Sequence, residues 1–133
     1  MLSYAPSPAR RPAVYMTRRD YAELSDRADA LEHTAVGQSL QAELARAIMA
    51  PDHSTRAFVK LGSTVAYEDL ETGAIRRLTL CLPEDASLDD MRLSVLTPVG
   101  AALIGATTGQ VLDYVVGGGR ARRLRILEVK DEL

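Results

Sequence analysis

Apolar residues recur along this chain in two rhythms, and the rhythm changes between residues 50 and 59. In the first half, Tyr21, Leu24, Ala28 and Leu31 fall at helical spacing. They make a narrow seam suited to a helix paired with another helix, not the wide stripe of a core helix. The apolar run AVYM at 13–16 precedes them, as a short strand or as a staple for the helix start. Thr17 followed by Asp20 resembles a capping box with Asp in place of the usual Glu. Glu32, His33 and Thr34 interrupt the pattern, and Thr34 is placed to cap a second helix. There Leu40, Leu44, Ala47 and Ile48 form one stripe, Val36 extends it a turn earlier, and Pro51 stops it after Met49. Gly37 is expected to weaken the first turn by about 1 kcal/mol relative to alanine. The spacing predicts an antiparallel helical hairpin with arms of about 15 residues, each about 22 Å long.

Beyond residue 58 the period becomes two. Val59 and Leu61, Val65 and Tyr67, Leu78, Leu80 and Leu82, then Leu93 and Val95 read as the inward sides of strands. DLETG (69–73) reads as a hairpin turn and PEDASLDD (83–90) as a polar loop. Thr97 and Pro98 suit the N-cap and first position of a short helix, and Gly105 suits its left-handed end. That helix carries no charge from Val99 to Ile104, so it is expected to plug the concave face of a small, strongly twisted sheet. QVLDYVV (110–116), a glycine turn at 117–119 and RARRLRILEV (120–129) follow. In the last run Leu124 and Ile126 share one face and Leu127 and Val129 the other. Such a switch implies a β-bulge near Ile126 or a sheet covered on both faces. The fold class is α+β: a helical hairpin, then a mostly antiparallel sheet with one short helix.

With 133 residues, 47% of them apolar and 26% charged, the chain has the composition of one folded domain with an appendage. Residues 1–11, rich in Pro, Ser and Arg, are read as a flexible arm, 12–52 as the short strand and hairpin, and 53–133 as the sheet domain. No run is long and apolar enough for a membrane span, and the N-terminus lacks the apolar core of a secretory signal. The single cysteine, Cys81, has no internal partner, and a cytoplasmic setting is expected. A net charge of −2 gives no reason to expect sequence-specific nucleic-acid binding.

Candidate chemistry is sparse. His33 and His53 are the only histidines, and with one cysteine they offer no zinc-ligand spacing. Glu84, Asp85, Asp89 and Asp90 lack the ligand spacing of a calcium loop and read as a solvated turn. Gly117–Gly118–Gly119 precedes a strand, so no helix N-terminus stands behind it to hold a phosphate. Arg120, Arg122, Arg123 and Arg125 are read as a basic edge that keeps an outer strand from pairing with other chains. No serine has a histidine and acid in a nucleophile's pattern. Asp26, Asp29 and Glu32 lie near the hairpin tip, either as a charged outer face or as metal-holding carboxylates offered to a partner enzyme. No catalytic residue, metal site or cofactor is assigned.

The hairpin and the stretch LTPVGAALIGATTGQVLDYVVGGGRARRLRILEV together carry a resemblance. The Gre transcript-cleavage factors have a C-terminal pattern Ser-Pro-x-Gly-x-Ala-Leu-x-Gly, then Gly-(Asp), then a Pro/Gly hairpin. Thr97, Pro98, Gly100, Ala102, Leu103, Gly105 and Gly109 match it here, followed by the glycine turn. LQAELARA (40–47) and LSVLTPVGAALIG (93–105) are especially similar to a branch named for regulation of nucleoside diphosphate kinase, which carries this domain behind a shortened coiled coil. The resemblance covers about residues 13–130.

It implies an FKBP-like C-terminal domain and docking on bacterial RNA polymerase at the rim of its secondary channel. The docking loop would be Leu96, Thr97 and Pro98, with Gly100 behind them. Some family members carry an acidic residue where this chain has Leu96, so an apolar contact would replace a charged one. Cleavage factors place an adjacent acidic pair at the tip of a longer coil, whereas this turn offers Glu32 with Asp29 one turn back. The resemblance therefore implies a non-catalytic regulator that competes with Gre-type factors. The alternatives are a minimal cleavage co-factor supplying Asp29 and Glu32, or a general protein-interaction module. No nucleotide-binding element is visible, so any effect on a kinase would run through transcription.

Overall fold

The computed structural model describes residues 14–50 and 57–131. The expected arm at 1–11, and Pro51 and His53, lie outside the described residues.

The chain opens with β1 (Val14–Thr17), α1 (Arg18–Ala30), α2 (Ala35–Ala45) and β2 (Ala47–Ala50). Thr17 caps α1, its hydroxyl accepting from the Asp20 amide at 3.1 Å, and Thr34 caps α2 through the Gly37 amide at 3.0 Å. Leu24, Ala28, Leu40 and Leu44 are buried between the helices and the sheet, and Tyr21 packs beside them half-buried. The arms are shorter than the sequence suggests, 13 and 11 residues. The predicted stripe also breaks: α2 ends at Ala45, and Ala47 and Ile48 belong to a strand parallel to β1, paired Val14↔Ala47 through Thr17↔Ala50. Ile48 and Met49 are half exposed there. Ala47 and Ile48 continue the spacing of Leu40 and Leu44, but β1 offers backbone partners that a further helical turn would leave unused.

Gly37 also departs from expectation. A Cβ at this position would lie 2.0 Å from the Leu31 carbonyl oxygen. The glycine is there so that α2 can start close against the end of α1.

The second half holds β3 (Ser63–Asp69), β4 (Ile75–Cys81), β5 (Arg92–Ser94), α3 (Pro98–Leu103), β6 (Val111–Val116) and β7 (Arg120–Asp131). The sheet order is β5-β4-β3-β7-β6, antiparallel except for the β4–β5 pair. Strands β5 and β6 are its two edges, so the chain between them must cross one face. Helix α3 lies in that crossing, and Leu103 and Ile104 join Val65, Leu80, Leu124 and Ile126 in one core. Of the two readings of the last strand, a bulge near Ile126 or a sheet covered on both faces, the ladder has the bulge: Ala66 pairs with Glu128 but Tyr67 with Ile126, leaving Leu127 as the extra residue.

The arginine-rich strand is not an edge. Strand β7 pairs with β3 on one side and β6 on the other. Three of its four arginines are matched by carboxylates instead, Arg122 with Asp69 and Glu71, Arg123 with Asp113 and Arg125 with Glu68, while Arg120 beside the glycine turn has no ion pair among the described residues. Composition suggested edge protection, but pairing partners far along the chain set the strand order.

Beyond the shared core, several specific contacts seat the hairpin on the sheet domain. Gly105 ends the α3 region with φ at +78°, and a Cβ there would meet Val14 Cγ1 at 2.3 Å, so β1 can pass only over a glycine. Its carbonyl accepts from the Tyr15 amide at 3.0 Å. The buried Asp20 carboxylate accepts from the Leu61 amide at 3.0 Å, and Arg27 pairs with Glu84.

Candidate functional site

The corner between β5 and α3 is built by short-range hydrogen bonds. Ser94 Oγ accepts from the Leu96 amide at 3.0 Å, and the Ser94 carbonyl accepts from the Thr97 hydroxyl at 2.8 Å. Thr97 Oγ1 in turn accepts from the Gly100 amide at 3.0 Å, which makes Thr97 the cap of α3. Pro98 fits the first helical position and stands exposed, and Leu96 and Thr97 are half-buried. Gly100 is buried, and a Cβ on it would lie 2.2 Å from the Ser94 carbonyl oxygen. Of the four docking-loop residues anticipated, Gly100 thus shapes the corner from behind while the other three reach its surface.

Thr97 and Pro98 sit at the edge of an apolar cleft of about 360 Å³. Tyr67 and Leu78 line it from the sheet, Pro98 and Val99 from α3, and Leu88 and Met91 from the loop before β5. Leu88 is 84% exposed and Met91 55%. Met91 is the one non-glycine residue with positive φ among the described residues, at 57°. The loop holding it is tight: Ser87 and Arg92 exchange two backbone hydrogen bonds, and the Met91 carbonyl accepts from the Thr79 amide. From the sequence, Leu88 falls in the polar loop at 83–90 and Met91 just beyond it, and neither is singled out. Two apolar side chains in an otherwise polar turn were the available signal, and they carry no period.

The polar groups on the cleft are Arg76, Arg92, Thr97 and the Tyr67 phenol. Burial pushes the Tyr67 phenol above its ordinary value, so it is a protonated donor at neutral pH. Arg92 is engaged with the Asp85 carbonyl and the Asp90 carboxylate.

At the far end of the hairpin Asp26, Asp29 and Glu32 are exposed, and Glu32 faces the exposed His33 ring at 3.4 Å. They are not gathered around a common point: among the described residues no three His, Cys, Asp or Glu side chains are placed to hold a metal ion. Helix α1 is tied to the sheet domain at Arg27, one turn before its end, so only the last turn and residues 31–34 extend past the tie. Among the described residues no helix is long and apolar enough to cross a membrane.

Comparison with known proteins agrees with this division. The family model described as "Transcription elongation factor, GreA/GreB, C-term" matches residues 54–131, which include the sheet, the corner and the cleft. The "Regulator of nucleoside diphosphate kinase" of Escherichia coli is 35% identical over 96 residues, 71% of each chain. A transcription elongation factor GreA of Syntrophobacter fumaroxidans is 32% identical over 84 residues, 63% of this chain and 53% of that one. Among solved structures, a GreA/GreB elongation factor from Nitrosomonas europaea superposes with a TM-score of 0.71 at 30% identity. The match covers 90% of this chain and 99% of that one.

Proposed function

The chain belongs to the GreA/GreB transcription elongation factor family, and on that premise we propose that it is a transcription regulator that docks on bacterial RNA polymerase without supplying chemistry of its own. The observation that carries this reading is the Thr97–Pro98 corner. It is held by its own hydrogen bonds, it exposes Pro98, it borders an apolar cleft, and it lies within the part of the chain that matches the family. An exposed Leu88 and Met91 beside a fixed proline form the kind of surface that gains from burial against a partner. The docking position we infer is the rim of the polymerase's secondary channel, with Leu96, Thr97 and Pro98 in contact and Gly100 supporting them. We read the curled sheet under α3 as FKBP-like and the hairpin as a shortened coiled coil.

The hairpin supports the non-catalytic half of the proposal. Cleavage of a transcript needs carboxylates delivered to the polymerase's own metal site, because a misplaced carboxylate activates no water. At 1.5 Å per residue α1 is about 20 Å long, and Arg27 anchors it near its end. Asp29 and Glu32 therefore remain close to the sheet domain. The relative named for nucleoside diphosphate kinase suggests an effect on that enzyme, which we assign to transcription and not to direct contact.

The test is a transcript-cleavage gel with backtracked elongation complexes. The protein alone should release no shortened RNA, and increasing amounts of it should slow cleavage by an authentic GreA, because both occupy one rim. Shortened RNA with the protein alone, lost in Asp29→Ala/Glu32→Ala, would replace this reading by that of a minimal cleavage co-factor.

A further inference from the structure

We propose that Arg76, with the Tyr67 hydroxyl beside it, selects a partner segment bearing an acidic side chain next to apolar ones. This rests on the cleft being a docking surface, as proposed above. Tyr67 and Arg76 are directly paired across β3 and β4, so both side chains lie on one face of the sheet, and both line the cleft. Tyr67 is 5% exposed, yet its hydroxyl makes no hydrogen bond among the described residues. The hydroxyl is not among the buried polar atoms left without a partner, so it meets the open cleft as a donor that an entering acceptor can take over from water.

Arg76 differs from most arginines of this sheet, and unlike Arg120, which also has no ion pair among the described residues, it lines the cleft. Arg77, Arg122, Arg123 and Arg125 each face a carboxylate within 3.9 Å, and Arg92 at the cleft's other side is held by Asp90. Arg76 has no ion-pair partner among the described residues, and no carboxylate lines the cleft. The walls are apolar, so an entering segment presents apolar side chains to Leu78, Leu88 and Met91. An Arg76–carboxylate contact formed there excludes water on one side. It is therefore a stronger discriminator than a fully solvated surface pair. The guanidinium fork and the phenol together can satisfy both oxygens of one carboxylate. The occupant fitted by this chemistry is an acidic–apolar segment of the protein partner.

The experiment uses the full chain in two measurements. In competition binding to core RNA polymerase, Arg76→Glu should weaken binding roughly tenfold and more steeply at low salt. Tyr67→Phe should weaken it several-fold, and Arg76→Lys should retain part of the affinity. Arg76 is exposed, so Arg76→Glu should melt like the parent, and that melt checks the fold. In the second measurement, random short peptides displayed on phage are selected on the immobilised protein. Enriched sequences should carry Asp or Glu beside large apolar residues, and Arg76→Glu should lose that preference. Polymerase binding that ignores Arg76→Glu overturns the inference whatever the peptides show. If the parent does not bind polymerase, the functional reading above fails and the peptides decide. An acidic–apolar consensus dependent on Arg76 then sustains the inference; no enrichment, or a consensus without an acid, overturns it.

Discussion

Arg27 and Glu84, 57 positions apart in the sequence, meet in a two-pronged ion pair: Nη1 lies 2.8 Å from Oε1 and Nη2 2.7 Å from Oε2. Arg27 Nε also donates to Glu23 at 3.0 Å, so one guanidinium joins a helix surface to the loop that follows β4. That loop runs on to Leu88 and Met91, which wall the cleft. The hairpin and the proposed docking surface are thus fastened to the same segment.

The Arg27 guanidinium holds the Glu84 carboxyl at about 2, against an ordinary value near 4.5. A carboxyl lowered in the folded state contributes stability above its unfolded value and loses it as pH falls. Parent and Glu84→Gln should therefore differ in melting temperature at pH 7. That difference should shrink as pH falls from about 4.5 through about 2 and be gone only below that value. Glu84 is half exposed, so the difference will be small. Circular dichroism melts across that range decide it, and a gap that stays constant with pH would refute the assignment.

Gly37→Ala has opposite expected signs from helix propensity and from packing. Propensity alone promises about 1 kcal/mol of stabilisation at a helical glycine. The added Cβ would lie 2.0 Å from the Leu31 carbonyl oxygen, a backbone atom that cannot swing aside. We expect a net loss of about 1–3 kcal/mol, typical of overpacking, read from urea unfolding. A more stable variant would mean that the two helix ends do not pack as described.

Thr97→Ala combined with Pro98→Ala removes the α3 cap and the exposed proline together. Losing the cap should cost about 1 kcal/mol, which a domain of ordinary stability tolerates. Unfolding should stay cooperative while competition for core polymerase weakens. Unchanged binding would move the docking surface away from this corner.

The corner was largely legible in the sequence, and the cleft it borders was not. Thr97, Pro98 and Gly105 announce a cap, a first turn and a left-handed end through chemistry confined to a few neighbouring positions. Leu88 and Met91 become a wall only because β5 pairs in parallel with β4 and α3 crosses the same face. Arg76 stands out only after its neighbours' partners are known.

Local signals likewise determined the caps at Thr17 and Thr34 and the seam at Leu24, Ala28, Leu40 and Leu44, and they narrowed the last strand to a bulge or a doubly covered sheet, between which the pairing register chose. Each depends on periodicity or on hydrogen bonds spanning three or four residues, and sequence spacing encodes both. Tertiary structure decided the rest. Ala47–Ala50 extends as a strand because β1 lies beside it, and the arginine-rich β7 is central because β3 and β6 both pair with it. Gly37 and Gly100 are held by backbone that approaches too closely for a Cβ. Backbone groups take the partners that folding brings near, and for these residues the partners lie on other elements whose approach no local spacing records.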